Sequence, residues 1–531
     1  MISEAVPAAG ATTGHAGTFG GFRTRWALLL SLAGGLATFA AFPPLGWWPL
    51  AAVGPALLVL ALTGRRLRGS FLCGLVFGVA LFVPLISWLI NVAWYAWAAL
   101  AGSEAIIFAV FCLGQRLLLV LPGWPAAVAA WWVTVEAFRD RWPYAFPWGR
   151  LAMSQSAAPD VRWVAVGGAP LLTFLVALTG AMAARFVLSL LGSRDWRSRG
   201  SIGAGLAAVV TGGLVLAGGL LPVDPVGGAP TAQVAAIQGD VPHERNLPQQ
   251  LNDTEVTQDQ ADATLELAAS VRAGRRAAPE LVVWPEDSSS IDPRYDPDVY
   301  AEIAGSMGAI DRPMLVGEVL QDPERNVGQL WVPGVGPGTI YVKRQLVPFA
   351  EYIPFRSIIS SFSSLPSLQP VNLTAGHDPV VFRVGAIRLG DVICYEVGFD
   401  NLVRSEVNAG ANLIALQSND ADFELDGQLG ETEQQTAMAR IRAVESDRAV
   451  VYASTTGESS IIAPSGAFIA RSGIWQRAIL DERVPLVSYR TLADRIGAWP
   501  EYVLVLLTVL AFGLAVTLRR QLWPPAPGSS T

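Results

Sequence analysis

The sequence predicts a multi-span α-helical membrane domain of about eight helices joined to one extracytoplasmic α/β domain. Three observations predict it. Apolar residues make up 52% of the 531-residue chain and charged residues only 15%, against about 25% charged in an average soluble protein. The apolar excess is concentrated in residues 26–222 and 502–518, leaving 230–490 with ordinary charge and short alternating strands. The basic residues that flank the apolar runs fall largely on one side of a membrane. A chain of this length also exceeds one ordinary core, so at least two domains are expected. The net charge of −7 argues against nucleic acid as a partner.

A spanning helix needs about 20 apolar residues. Candidates occupy 26–43, 47–63, 70–90, 98–121, 124–138, 164–191, 201–221 and 499–518. Arg23 and Arg25 precede the first, and Arg65, Arg66 and Arg68 follow the second. Arg194, Arg197 and Arg199 lie between the sixth and seventh, and Arg519 and Arg520 follow the last. With eight spans all four clusters share the cytoplasmic side. Both termini are then inside and residues 222–498 outside, in the inner membrane of the cell. Arg139, Arg141 and Arg150 break the rule and are expected to meet lipid headgroups. Glu104 and Glu136, near span ends, are expected at the interface. The first span runs into Pro43-Pro44 without a small-residue cleavage site and is expected to be retained. Trp and Tyr at 47, 48, 94, 95, 97, 142, 144 and 148 suit an aromatic belt.

The chain divides into a disordered N-terminus (1–22), seven membrane helices (23–222), an α/β domain (230–490), a C-terminal membrane helix (497–520) and a disordered tail (521–531). Gly-Gly-Ala-Pro at 227–230 is a linker. Within the α/β domain, strands are expected at 233–237, 281–284, 314–319, 329–332, 339–346, 379–384, 387–394, 411–417, 449–454 and 459–463. Helices are expected at 248–274, 296–308, 398–409 and 430–446, and Pro464-Ser465-Gly466 reads as a hairpin turn.

Cys394 carries the chemistry. Of three cysteines, Cys73 and Cys112 lie within spans, where a thiol packs as a small hydrophobe. Cys394 instead follows an apolar strand, in Gly390-Asp391-Val392-Ile393-Cys394-Tyr395-Glu396, and precedes a polar helix. Such a turn exposes a nucleophile and aims backbone N–H groups at it. Leu281-Val282-Val283-Trp284-Pro285-Glu286 is a strand ending in a carboxylate, and Tyr341-Val342-Lys343 one ending in an amine. Carboxylate, amine and thiol at three strand ends are the parts of an acyl-transfer site. Glu396 is placed to brace the turn. Tyr395 either packs or contributes to the oxyanion environment. His15, His243 and His377 are scattered without metal-ligand spacing; no metal and no cofactor are expected.

These residues resemble the Glu-Lys-Cys triad of the nitrilase superfamily. The stretch Lys343-Arg344-Gln345-Leu346-Val347-Pro348-Phe349-Ala350-Glu351-Tyr352-Ile353-Pro354 is similar to the Lys-x-x-Leu-Val-Pro-Phe-Gly-Glu-x-x-Pro segment of bacterial apolipoprotein N-acyltransferases. Phe146-Pro147-Trp148 resembles that family's Phe-Pro-Trp loop, and Gln417-Ser418-Asn419-Asp420-Ala421 its Ser-Asn-Asp-Ala segment. The likeness implies an αββα sandwich on a helical membrane domain. It implies transfer of an acyl chain from a phospholipid donor to the α-amino group of a diacylglyceryl-cysteine at the N-terminus of an apolipoprotein acceptor. Glu286 is then the base, Cys394 the acylated nucleophile and Lys343 the oxyanion partner. Glu351 matches a second family glutamate that orients Lys343, Asn326 a family asparagine near the site, and Trp148 is either an interfacial anchor or a substrate contact. The chain departs from the family at Asp422 and Glu424, where Trp-Phe-Gly is usual, and at Ala350 and Thr455-Thr456-Gly457. Two other functions compete: a membrane-tethered nitrilase-like amidase, and an inactive scaffold or transporter. The intact Glu286, Lys343 and Cys394 oppose the latter. A single site requires no oligomer, and a monomer is expected.

Overall fold

A computed structural model of the chain describes residues 21–193, 195–222, 228–240, 249–360, 371–421, 423 and 430–522. Helices stand at all eight places the apolar runs predict: α1 (Thr24–Ala41), α2 (Leu50–Leu62), α3 (Leu67–Leu85), α4 (Trp94–Leu118), α5 (Trp124–Arg139), α6 (Val164–Ser193), α7 (Arg199–Leu216) and, at the other end of the chain, α14 (Trp499–Leu522). Among the described residues, six segments are long and apolar enough to cross a bilayer: Thr24–Ala41, Leu67–Leu85, Trp94–Leu118, Pro159–Ser193, Arg199–Leu220 and Trp499–Leu518. The 13 residues of α2 rise only about 20 Å, short of a hydrocarbon core of about 30 Å; it packs on α1 and α6. Small residues bring the helices close. A Cβ on Gly35 would lie 2.4 Å from the Phe77 carbonyl of α3. Helix α6 is broken at Gly167-Gly168, where Gly168 has φ +70°. Cys73 and Cys112 are buried among the helices as expected.

The α/β domain runs β1 (Thr231–Gln238), α8 (Gln249–Arg272), β2 (Leu281–Val283), α9 (Pro297–Ile310), β3 (Met314–Leu320), β4 (Arg325–Val332), β5 (Gly336–Val342), α10 (Arg356–Ile359), β6 (Val381–Val384), β7 (Ile387–Ile393), α11 (Asp400–Asn408), β8 (Leu413–Ser418), α12 (Glu431–Ser446), β9 (Val450–Ser454), β10 (Ser460–Ile462), β11 (Phe468–Arg471), β12 (Ala478–Pro485) and α13 (Leu492–Ile496). The strands form two six-stranded sheets, ordered β12-β1-β2-β3-β4-β5 and β11-β10-β9-β8-β7-β6. In each sheet the three central strands are parallel: β1, β2 and β3 in one, β7, β8 and β9 in the other. Parallel strands buried on both faces read as continuous apolar runs, and Leu281–Val283 and Leu413–Leu416 are such runs. Val234, Val283 and Leu315 of the first sheet meet Leu389, Ile393 and Val451 of the second in one core. Helices α8 and α9 cover the outer face of the first sheet. Helices α11 and α12 cover the second, and their core is continuous with that of the membrane helices. The order is therefore αββα, with one helical layer resting on the membrane domain.

The hairpin at Pro464-Ser465-Gly466 joins β10 to β11, with Gly466 at φ +80°. Strands β11 and β12 were not among those expected. The expected linker residue Gly227, the termini 1–20 and 523–531, Arg194, His15, His243, Asp422 and Glu424 lie outside the described residues.

The junction corrects two expectations about charge. Arg139 and Arg150 do not face headgroups, and Glu104 and Glu136 are not open to them either; all four are buried within the protein. Arg139 pairs with Glu104 and donates to the Trp148 carbonyl at 2.6 Å. Glu136 accepts from the Leu151 N–H and the Thr173 hydroxyl, both at 2.8 Å. Arg150 spans the two domains through a bidentate pair with Asp400 of α11 at 2.8 and 3.0 Å, and Arg442 of α12 joins the same carboxylate at 2.6 Å. Arg141 pairs with Glu501 of α14. Burial opposes ionisation of Asp400, but Arg150 and Arg442 beside it hold its carboxyl below the usual range. Replacing Asp400 by alanine leaves two buried guanidinium groups short of their shared anion. That is expected to cost about 3–5 kcal/mol, read as a lower unfolding midpoint of the detergent-solubilised chain.

Candidate active site

Cys394 is the residue at which β7 turns into the 3₁₀ segment Cys394–Gly398. Its φ is +50°, uncommon for a residue with a side chain, and such conformations persist only where surrounding bonds hold them. Glu396 supplies four such bonds. One carboxylate oxygen accepts from the Ile393 N–H (2.8 Å) and the Tyr341 hydroxyl (2.7 Å). The other accepts from the N–H groups of Arg344 (2.7 Å) and Gln345 (3.0 Å). Glu396 thus ties the turn that carries the sulfur to the chain immediately after Lys343.

Lys343 follows β5, and its Nζ lies 2.8 Å from Glu286 Oε1 and 2.8 Å from Glu351 Oε1. The Asn326 amide, from β4, donates to the same two oxygens at 2.8 and 3.3 Å. The remaining oxygens are also satisfied, Glu286 Oε2 by the Asn419 N–H (3.0 Å) and Glu351 Oε2 by the Val347 N–H (2.7 Å). The structure therefore brings Glu286, Asn326, Lys343, Glu351 and Glu396 together, from the ends or borders of β2, β4, β5 and β7.

Burial alone would push the Lys343 amine toward neutrality. Glu286 and Glu351 outweigh it and hold the ammonium well above its ordinary pKa. For Cys394, burial comes first and the Glu286 carboxylate adds to it, so the thiol is pushed well up even though Lys343 opposes the shift. The resting sulfur is therefore a neutral thiol. Alkylation by iodoacetamide, which requires thiolate, is expected to keep rising with pH beyond the ordinary thiol range of about 8.5. A plateau at or below that value would mean that Lys343 dominates instead.

Two other predicted residues sit beside this cluster. The Tyr395 hydroxyl donates to the Ala145 carbonyl at 2.6 Å, and its ring stacks on Trp148 at 5.3 Å and 12°. Of the two readings for Tyr395, packing is the one its contacts match. Trp148 is 3% exposed and stacks on Phe146, so it leaves the predicted belt, whereas Trp47, Trp94, Tyr95 and Trp142 are exposed. The Phe-Pro-Trp loop thus docks the catalytic layer onto the membrane helices.

Sequence reasoning missed Asn419 as a partner of Glu286, although its Ser-Asn-Asp-Ala segment was noticed. It missed Trp88, whose ring edge meets Phe423 at 5.1 Å. It also missed Gln435, whose Nε2 lies 3.5 Å from Cys394 Sγ. No spacing rule links position 435 to position 394.

Two family profiles match the chain. One is described as the apolipoprotein N-acyltransferase N-terminal domain, over residues 34–182, and the other as carbon-nitrogen hydrolase, over residues 318–494. A curated apolipoprotein N-acyltransferase of Mycolicibacterium smegmatis is 36% identical over 519 residues, covering 92% of this chain and 85% of that one. The chain belongs to the apolipoprotein N-acyltransferase family. A second member, from Azotobacter vinelandii, is 31% identical over 525 residues and covers 94% of this chain and 96% of its own. Among solved structures, an amidase of the nitrilase superfamily from Nesterenkonia AN1 matches 50% of this chain and 93% of its own, at 16% identity and a TM-score of 0.36. Family membership and the six long apolar helices make this a multi-pass membrane acyltransferase with a nitrilase-like α/β domain. The carbon-nitrogen hydrolase match contains Asn326, Lys343, Glu351 and Cys394 but starts after Glu286.

Proposed function

We propose that the chain transfers an acyl group from a phospholipid to the α-amino group of the diacylglyceryl-cysteine of an apolipoprotein, through a thioester on Cys394. The single observation that carries the mechanism is the Glu286–Lys343–Glu351 cluster, in electrostatic reach of a neutral thiol. Because the sulfur rests protonated, attack needs a base, and Glu286 is the carboxylate that takes the proton. Sulfur bonds to the ester carbonyl carbon, and the developing oxyanion is met by the Lys343 ammonium and a backbone N–H of the turn. The carbon–oxygen ester bond breaks, the proton passes from Glu286 to the departing oxygen, and lysophospholipid leaves. In the second half-reaction the acceptor amine forms the amide bond and the carbon–sulfur bond breaks. Glu286 takes the amine proton and returns it to the sulfur. Glu351 and Asn326 hold Lys343 and Glu286 in place throughout.

The one-sided basic clusters support eight crossings, cytoplasmic termini and an extracytoplasmic catalytic domain spanning about 230–490. One complete site per chain supports a monomer. The test is to incubate the full chain in mixed micelles with phospholipid and a diacylglyceryl-cysteine peptide. Equal amounts of N-acylated peptide and lysophospholipid are expected. Free fatty acid with unmodified peptide would instead assign a hydrolase that uses water.

A further inference from the structure

Near its start, α12 presents two consecutive glutamines in different directions. Gln434 faces the membrane helices. Its Nε2 donates to the carbonyls of Leu85 (2.9 Å) and Pro43 (3.3 Å), and its Oε1 accepts from Trp88 Nε1 at 3.4 Å. Gln435 faces the catalytic turn. It is fully buried, and its Nε2 donates to Cys394 Sγ at 3.5 Å. Its Oε1 is engaged by the Tyr452 hydroxyl of β9, which also lies 3.0 Å from Asp420 Oδ2. Asp420 is in turn held by the hydroxyls of Ser418 (2.7 Å) and Ser454 (2.6 Å). With Ser418 and Ser454 already serving Asp420, the single Tyr452 proton goes to Gln435 Oε1, which holds the amide at its oxygen and turns its nitrogen to the sulfur.

We propose that Gln435 is a catalytic residue of this site: its amide N–H stabilises the Cys394 thiolate as it forms and as it leaves. This rests on the assignment of Cys394 as the nucleophile. The charged and titratable groups acting on that sulfur are otherwise almost all negative. Among the strongest influences, Glu286, Glu431 and Asp420 oppose the thiolate and Lys343 favours it, while Tyr452 stands behind Gln435. In the first half-reaction Lys343 must also meet the oxyanion, so a second donor aimed at sulfur divides the work. In the second, the carbon–sulfur bond breaks and the electron pair returns to sulfur. A donor there makes the thiolate a better leaving group, because hydrogen bonding to a charged form favours that form. Gln434, one residue away, fixes the same turn against Leu85 and Trp88, so the donor is held in register with the membrane helices.

The test uses the full chain in detergent and reads alkylation of Cys394 by iodoacetamide, resolved from Cys73 and Cys112 by peptide mass. Gln435→Met keeps length and removes the N–H. It strands no other polar atom, since the Tyr452 proton can turn to Asp420 Oδ2, 3.0 Å away. Alkylation at fixed pH is expected to fall roughly tenfold, as is release of the acyl group from preformed thioester to an amine. Gln434→Met disturbs the same turn without touching sulfur and is expected to leave the alkylation profile in place. Should Gln435→Met fail to fold, Gln435→Asn withdraws the donor by one methylene and is expected to give the same fall. Unchanged alkylation in a folded Gln435 variant overturns the proposal, as does an equal fall in Gln434→Met. Because the readout is the thiol itself, it stands apart from the acyl-transfer assay. Failure of Cys394→Ala to stop transfer would remove the nucleophile assignment, whatever Gln435 does.

Discussion

Cys394→Ala is expected to abolish both acyl-enzyme formation and transfer. Wild-type chain incubated with phospholipid should gain the mass of one acyl group, removable by hydroxylamine or by a diacylglyceryl-cysteine peptide that becomes N-acylated in the process. The alanine variant should gain none. The loss should be complete within detection, because the mechanism has no second nucleophile. Cys73 and Cys112 are buried among the membrane helices, away from the Glu286–Lys343 cluster. The fold should survive, since Cys394 contributes one small side chain to a core built from Ile393, Leu389 and their neighbours. A persistent adduct on the alanine variant would relocate the chemistry and sink the thioester route through this residue.

Glu286→Gln is expected to lower turnover about 10²–10⁴-fold, the range general-base catalysis supplies, with little change in stability. The glutamine carbonyl can still accept from Lys343 and Asn326, so the pocket gives up only the bond from the Asn419 N–H while losing its proton acceptor. Lys343→Met forms the contrast. It removes the cation shared by Glu286 and Glu351 and leaves two carboxylates facing each other in a buried site. Activity and stability should fall together, the latter by about 3–5 kcal/mol. Measuring single-turnover acylation beside thermal unfolding separates the two cases. A Glu286→Gln variant with wild-type acylation would exclude this carboxylate as the base.

The candidate site was legible where its parts are local. Each of Glu286, Lys343 and Cys394 sits at the end of an apolar strand, and a strand end is visible in a window of six residues. Glu351 and Asn326 needed the family likeness, because a lone Glu or Asn in a loop carries no local signature. Glu396 was visible because it is two residues from Cys394, and its bonds tie that turn to Arg344 and Gln345. Trp148 was harder. Its place beside Phe146 and Pro147 suggested a membrane interface, but stacking on Tyr395, almost 250 positions away, buries it. Arg150 of the same loop misled for the same reason, since a charge near a span end looks exposed until a carboxylate from another domain, here Asp400, is folded against it.

By itself, the sequence determined the membrane segments, the alternation of strands and helices between residues 231 and 462, and the identity of the reacting side chains. The segments and elements follow from apolar run length and strand periodicity, and the reacting side chains are those proposed from residue chemistry; all of these act over short stretches. Only the tertiary structure decided which side chains share a hydrogen bond. Strand β12 carries Asp481, Glu482 and Arg483 and has no apolar alternation; it is a strand because the free edge of β1 pairs with it in antiparallel register. Asp400 became the anchor of the domain junction because Arg150 and Arg442 arrive from two different elements. Gln435 became a partner of the sulfur because α12 packs across the end of β7 and its amide is clamped by Tyr452. Buried polar groups must find partners wherever the chain brings them, and that pairing is a property of the packed molecule rather than of any local stretch.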